Sequence, residues 1–153
     1  MIGHELTALY NIDHAQTLAI VLPSMLTVRK EAKREKLLQF ATRVWQLTDG
    51  DDDTRVDTAI ANTRAFFESV GVKTRLADYG VTTIDEVLAQ LETHRMTALG
   101  ERREVTLDVS RRVLELSRQK LSIRFIDSLL FQRVFINLCH SVKFRDEEST
   151  FLL

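Results

Sequence analysis

Residues 1–23, MIGHELTALYNIDHAQTLAIVLP, decide the fold, because their pattern predicts two consecutive helices. Ile2, Leu6 and Leu9 recur at helical spacing, which predicts a first helix from Ile2 to Leu9. Asn11 follows at the position where such a helix would end, and asparagine tolerates the left-handed backbone of a helix C-terminus. The chain is therefore expected to turn sharply at Asn11.

The second helix is predicted to begin at His14, with Asp13 as its N-cap. Its residues are apolar nearly all round as far as Leu22, which indicates a helix in the protein interior. Pro23 lacks the backbone N–H that a continuing helix needs. This helix is therefore expected to end at Pro23.

The whole chain of 153 residues contains one proline and five glycines, and few breaks are expected in its helices. Its apolar residues repeat at close to 3.6 positions, the helical period. This spacing predicts four further helices: Ala32 to Thr48, Asp51 to Val70, Thr83 to Met96, and Leu107 to Gln119. The sequence therefore predicts an all-α, helical bundle-like fold.

Two polar clusters are predicted to begin helices. Asp51, Asp52 and Asp53 would place carboxylates at the positive end of a helix dipole. A calcium site is the alternative for these aspartates, but the ligand pattern of an EF-hand loop is absent. The residues from Thr83 to Glu86 have the form of a capping box.

The composition is typical of a globular domain, with 44% hydrophobic and 28% charged residues. The net charge of −1 comes from 21 basic and 22 acidic residues mixed along the chain, so no nucleic-acid or membrane surface is expected. The single cysteine, Cys139, cannot form an internal disulfide, and the first residues lack the pattern of a signal peptide. A cytoplasmic location is therefore expected.

The end of the chain differs in character from the rest. Residues 120–153 hold five of the eight phenylalanines and the cysteine, and their first part is apolar on more than one face. Charged and polar residues interrupt this run, so a membrane span is not expected. We divide the sequence into a helical domain at 1–119 and an atypical apolar helical tail at 120–153. The tail is expected to pack on the domain or on another copy, or to be foreign sequence from a frameshift or fusion.

His4 and His14 are the candidate functional residues. Two helices joined by a tight turn can bring both imidazoles to one point, and imidazole is a good ligand for Zn²⁺ or Fe²⁺. Spacing alone does not separate such a site from one packed histidine and one surface histidine. His94 and His140 have no acidic or histidine companion at helical spacing, so surface or packing roles are expected for them.

A family resemblance adds to this pattern. The segment GHELTALYNIDHAQTLAIVLP, at residues 3–23, resembles the metal-binding segment of the iron-containing (group III) alcohol dehydrogenases, in particular the butanol dehydrogenase and NADPH-dependent aldehyde reductase branch. The likeness continues through KREKLLQFATRVW, FFESVGVKTRLADYG and REVTLDVSRRVLELSR, as far as Arg118. In that family a dinucleotide-binding domain precedes an all-helical domain. This chain resembles the later part of the helical domain.

The resemblance implies a role for each of the first two histidines. His14 matches a metal-ligand histidine, and His4 matches the histidine beside the nicotinamide cofactor and substrate, a candidate for catalytic proton handling. The motif's first ligand histidine would fall immediately before Met1, and an aspartate and another histidine belong to an earlier helix of the family. Of the four implied ligands, the chain is therefore expected to contain His14 alone.

The resemblance also implies a reaction. In the family a divalent metal, Fe²⁺ or Zn²⁺, polarises an aldehyde carbonyl or stabilises an alkoxide, and hydride passes between that carbon and NAD(P)H. The chain thus resembles a fragment of an NAD(P)-dependent alcohol dehydrogenase or aldehyde reductase that interconverts small aldehydes and primary alcohols.

The fragment is expected to be inactive alone. One imidazole does not hold a metal tightly against water, and no glycine-rich phosphate loop follows a predicted strand. Apolar surface that the first domain would cover is expected to cause self-association. Two other interpretations stay open, a helical interaction module and a non-functional truncated gene product that needs a separate fragment or does nothing.

Overall fold

The computed structural model describes residues 1–118, and within them the prediction of an all-α fold is confirmed. The helices are α1 (Ile2–Tyr10), α2 (His14–Val28), α3 (Arg34–Arg43), α4 (Asp52–Ser69), α5 (Asp85–Thr93) and α6 (Leu107–Arg118). Two short 3₁₀ turns occupy Glu31–Lys33 and Leu76–Tyr79. Two-residue strands, β1 (Ala98–Leu99) and β2 (Val105–Thr106), pair antiparallel before α6, a feature that the sequence did not predict.

The predicted turn between the first two helices is confirmed. Asn11 has φ 52° and ψ 35°, and its N–H donates to the carbonyl of Thr7. Asp13 is the N-cap of α2, and its backbone N–H donates to Oε1 of Gln16 at 3.3 Å. The side-chain carbonyl of Gln16 therefore satisfies a backbone donor at the point where the chain enters α2.

The predicted end of α2 at Pro23 is wrong, because the helix continues to Val28. Pro23 is buried, and its missing N–H removes one bond from the helical ladder. The adjacent carbonyl of Ile20 accepts a hydrogen bond from Ser117 Oγ on α6 at 3.3 Å. α2 packs against α6 along this stretch, and the helix continues across the proline.

The predicted helix from Ala32 to Thr48 is shorter than expected. It begins as a 3₁₀ turn and its α-helical part, α3, ends at Arg43. Gln46 adopts φ 55°, and the N–H of Leu47 bonds back to the carbonyl of Ala41. This left-handed residue turns the chain away before the predicted end.

The predicted start of α4 is confirmed, since Asp51 is its N-cap and its Oδ1 accepts from the N–H of Thr54 at 3.0 Å. The capping box predicted at Thr83 is wrong in register. Ile84 is the N-cap of α5 without a side-chain hydrogen bond, and Thr83 Oγ1 accepts only a 3.4 Å bond from the N–H of Asp85. A buried isoleucine at the cap position indicates that packing fixes this helix start.

Two apolar clusters form the core of the described chain. The larger one joins α1, α2, α5 and α6 through fully buried side chains that include Leu6, Ile20, Leu91 and Leu114. The smaller one joins α3 and α4 through Leu37, Val56 and Ile60. Both candidate histidines belong to helices of the larger cluster.

Several predictions concern residues that the structure does not describe. The tail at 120–153, its helical character and its packing lie outside residues 1–118, as do Gln119, Cys139 and His140. No helix in residues 1–118 is both long and apolar enough to cross a membrane.

A candidate two-histidine site at the start of the chain

The structure brings His4 and His14 together. His4 lies in the first turn of α1 and His14 is the first residue of α2. Their ring centroids are 5.1 Å apart and the rings are tilted by 40°. Both residues are exposed, so the pair forms an accessible polar surface where the start of α1 meets the start of α2.

A close approach of the two helices sets this separation. A Cβ atom added to Gly3 would lie 2.7 Å from Thr17 Oγ1, which is closer than real side chains approach. Thr17 is fully buried, and its hydroxyl donates to the carbonyl of His14 at 2.8 Å. The absence of a side chain at Gly3 therefore lets α1 contact α2 one residue before His4.

A buried carboxylate follows His4 directly. Glu5 is 4% exposed, and its Oε1 lies 2.9 Å from Nδ1 of His94, the residue that ends α5. Burying a carboxylate is costly unless it is paired, so this contact offsets the cost of packing Glu5 inside the protein. His94 has no acidic companion at helical spacing, as expected, but it does have an acidic partner elsewhere in the chain. That partner, Glu5, lies 89 positions away.

The sequence carries a signal for a buried partner of this carboxylate. Ile2, Glu5, Leu6 and Leu9 occupy successive positions of one helical stripe, and three of the four are apolar. A single carboxylate within a core-facing stripe predicts a buried partner for it. The sequence does not identify that partner as His94.

A second polar contact joins α1 to α5 at the other end of α1. The hydroxyl of Tyr10 donates to Oε2 of Glu86 at 3.1 Å. Partial burial raises the pKa of the Tyr10 hydroxyl, and the hydrogen bond to Glu86 and its negative charge raise it further. The tyrosine therefore stays protonated as a donor throughout the neutral range.

A half-buried arginine connects α4 to α2 and to the loop after α4. Arg64 donates to the carbonyl of Thr74 at 2.8 Å and to Ser24 Oγ at 3.3 Å. Burial lowers the pKa of Arg64 to about 10, the positive charge of Arg75 lowers it too, and Glu68 opposes both effects. This contact joins α4 to α2 at Ser24, ten residues after His14, and belongs to the scaffold.

The donor atoms near His4 and His14 are too few for a complete metal centre. Within residues 1–118, no three histidine, cysteine, aspartate or glutamate side chains gather as ligands of one ion would. His14 suits one position of a coordination sphere, because its imidazole is exposed at a helix start and close to a second imidazole. The described residues therefore fit part of a metal site and do not fit the whole of it.

Comparison with known proteins identifies the family. The family model described as Fe-containing alcohol dehydrogenase family, C-terminal, matches residues 1–116. The chain belongs to this family. The resemblance noted in the first residues thus extends over nearly the whole described fold.

Individual members of the family show how much of a full-length protein is matched. The NADPH-dependent aldehyde reductase YqhD of Escherichia coli is 57% identical over 120 residues, which cover 77% of this chain and 31% of that protein. The NADP-dependent alcohol dehydrogenase 3 of Entamoeba histolytica is 38% identical over 79 residues, covering 52% of this chain and 20% of that protein.

The fold agrees with a solved member of the family. The substrate- and cofactor-free structure of the E. coli reductase superposes with a TM-score of 0.74 at 56% identity, covering 76% of this chain and 31% of that one. The chain therefore spans less than a third of the length of this relative. The roles of His4 and His14 stay predictions.

Proposed function

We propose that this chain supplies the helical, C-terminal part of an NAD(P)-dependent, metal-containing alcohol dehydrogenase or aldehyde reductase that interconverts aldehydes and primary alcohols. The single observation that carries the proposal is the proximity of His4 and His14, whose ring centroids are 5.1 Å apart. Both residues lie in the segment that the family model matches, residues 1–116. Relatives that are NADPH-dependent or NADP-dependent support a nicotinamide cofactor.

In this proposal the two histidines have different roles. His14 donates its imidazole as one ligand of Fe²⁺ or Zn²⁺, which when bound would withdraw electron density from the substrate oxygen. His4 would lie beside the nicotinamide and the substrate, where its imidazole would give a proton to the reacting oxygen or take one from it. The close approach of Gly3 to Thr17 brings the two helix starts, and with them the two rings, close together.

We further propose that the 153 residues alone do not turn over substrate or hold the metal tightly. One imidazole ligand is too few, and none of the five glycines forms a phosphate-binding motif that would hold NAD(P)H. The remaining ligands and the cofactor would be contributed by protein outside residues 1–118. The absence of a nucleic-acid or membrane partner is proposed from the balanced and mixed charge, and a cytoplasmic location from the single cysteine, which cannot form an internal disulfide.

A chimera tests the roles of the histidines directly. Residues 1–118 would replace the matching segment of the E. coli reductase, and turnover of butyraldehyde would be followed by NADPH oxidation. We expect an active chimera, loss of both bound metal and turnover in His14→Ala, and a loss of about 10²-fold or more in His4→Ala with the metal retained. Asp85→Asn, at an exposed helix start, is the control and should leave turnover unchanged.

The same assay on the unmodified chain completes the test. With NADPH, butyraldehyde and added Fe²⁺ or Zn²⁺, no turnover is expected. Metal-dependent turnover by the isolated chain would show that it is a complete enzyme. A His14→Ala chimera that keeps its metal and its rate would remove the proposed role of that residue.

Self-association is a second proposal, and a specific surface favours it. Leu18 and Leu22 continue the face of α2 that begins with His14, at intervals of four residues, and are 50% and 39% exposed. Adjacent leucines on an exposed helix face are unfavourable in water. We propose that a second copy of the chain covers them.

A further inference from the structure

The contact between Glu5 and His94 has a consequence for the neighbouring histidine. We propose that Glu5 and His94 are positioning residues, which fix the rotation of α1 about its axis and so aim His4 at His14. The role of His4 in catalysis rests on the proposed function, whereas the contact and its effect on the two rings do not.

The start of α1 has little else to hold it. Met1 is its N-cap and provides no side-chain hydrogen bond. A helix of nine residues is too short to be stable alone, so tertiary contacts determine whether and how it forms. At this end of the helix those contacts are the apolar packing of Ile2 and Leu6, the approach of Gly3 to Thr17, and the pair of Glu5 with His94.

These contacts determine the direction in which the side chain of His4 leaves α1. Successive side chains on a helix are separated by about 100°. Gly3 faces α2 and Glu5 faces the end of α5, so the residue between them has a fixed direction once both neighbours are held. That direction places the ring of His4 5.1 Å from the ring of His14.

Of the Gly3 approach and the contact of Glu5 with His94, the second is the one that fixes the rotation of α1. Apolar packing and the Gly3 approach restrict the distance between helices, but a small rotation of α1 preserves both. The hydrogen bond of a buried carboxylate to Nδ1 at 2.9 Å does not tolerate such a rotation, because the carboxylate would lose its described partner.

A set of four variants tests this inference in the full chain, without substrate, metal or cofactor. The chain has four histidines, so selective isotope labelling of histidine gives a simple NMR spectrum in which a ring-to-ring NOE between His4 and His14 is measured. His94→Ala removes the donor. His94→Asn places an amide N–H close to the position of Nδ1, and is the conservative variant that should rescue the contact.

Tyr10→Phe is the matched control. It removes the other polar contact between α1 and α5, at the end of the helix that is remote from His4. We expect the ring-to-ring NOE to be lost in His94→Ala and kept in both His94→Asn and Tyr10→Phe. If His94→Ala does not fold, as judged from the amide signals of α3 and α4 in a second, uniformly ¹⁵N-labelled sample, His94→Leu replaces it, because leucine fills much of the space of the ring without providing a donor.

Two results would overturn the inference. The first is an unchanged NOE in a folded variant without a donor at position 94. The second is equal loss in Tyr10→Phe, which would show that general weakening of the α1–α5 contact disturbs the rings. Neither result depends on turnover, so a failure here is distinct from a failure of the chimera to reduce an aldehyde.

Discussion

Gly3→Ala tests how closely α1 must approach α2. The added methyl carbon would lie 2.7 Å from Thr17 Oγ1 and 3.2 Å from Thr17 Cβ, whereas ordinary contacts begin near 3.4 Å. Thr17 cannot turn away freely, because it is fully buried and its hydroxyl is bonded to the carbonyl of His14. The helices must therefore separate by several tenths of an ångström at this point.

Two opposing terms determine the change in the free energy of unfolding. Overpacking of a closely packed contact costs about 1–3 kcal/mol. Replacing glycine by alanine within a helix contributes up to about 1 kcal/mol in the opposite direction. We therefore expect Gly3→Ala to lower the free energy of unfolding by about 1 kcal/mol, measured by urea denaturation followed by circular dichroism.

A control and a double variant isolate the steric term. Ala61→Gly, at an exposed interior position of α4, measures the helix-propensity difference in this protein without a new contact. Thr17→Ala removes the hydroxyl that the added methyl group would meet, so the double variant should be more stable than the sum of the single effects by about 0.5–3 kcal/mol. A Gly3→Ala protein that gains as much stability as Ala61→Gly loses would refute the steric argument.

Two further predictions concern the surface. Leu18→Lys combined with Leu22→Lys should shift the chain towards the monomer in analytical ultracentrifugation, and an unchanged sedimentation profile would exclude this face as the cause of self-association. The Thr54 hydroxyl and N–H hold the pKa of Asp51 below its ordinary value of 3.8. The ionised carboxylate therefore stabilises α4 at pH values above the ordinary carboxylate pKa, and this contribution is lost as the pH falls through the lowered pKa. Asp51→Ala should therefore be less stable than the parent chain at neutral pH and equal to it in acid, as measured by urea midpoints. A stability difference that persists unchanged in acid would contradict this assignment.

The sequence predicted the elements whose signals are local. Asn11 at a left-handed C-cap, Asp13 at the start of α2 and Asp51 at the start of α4 each act through backbone groups within a few residues. Such contacts form wherever the residue is placed at a helix end. They are therefore readable from one short stretch of chain.

The errors arose where a distant contact changed the outcome. Pro23 was expected to end α2, but the hydroxyl of Ser117 on α6 bonds to the carbonyl of Ile20 within the same helix. No acidic residue lies three or four positions from His94 along the chain, but Glu5 reaches it from another helix. Neither partner can be identified from one sequence without knowing which helices pack together.

The candidate site was predicted in part. The ten-residue spacing of His4 and His14 and the turn at Asn11 were sufficient to place both imidazoles near each other. The close approach at Gly3 was not predicted, because a glycine in a helix gives no indication of what lies opposite it. The small strands β1 and β2 were also missed, since two-residue strands carry no measurable periodicity.

The turn between α1 and α2 has a consequence for the order in which the site assembles. His4 and His14 are brought together by closing a very short loop, for which the entropic cost is small and the rate is high. The contact between Glu5 and His94 closes a loop of 89 positions and must wait until α5 has docked. The two imidazoles can thus meet early in folding, while α1 is still free to rotate about its axis. Their final alignment forms only when α5 docks and places His94 next to Glu5.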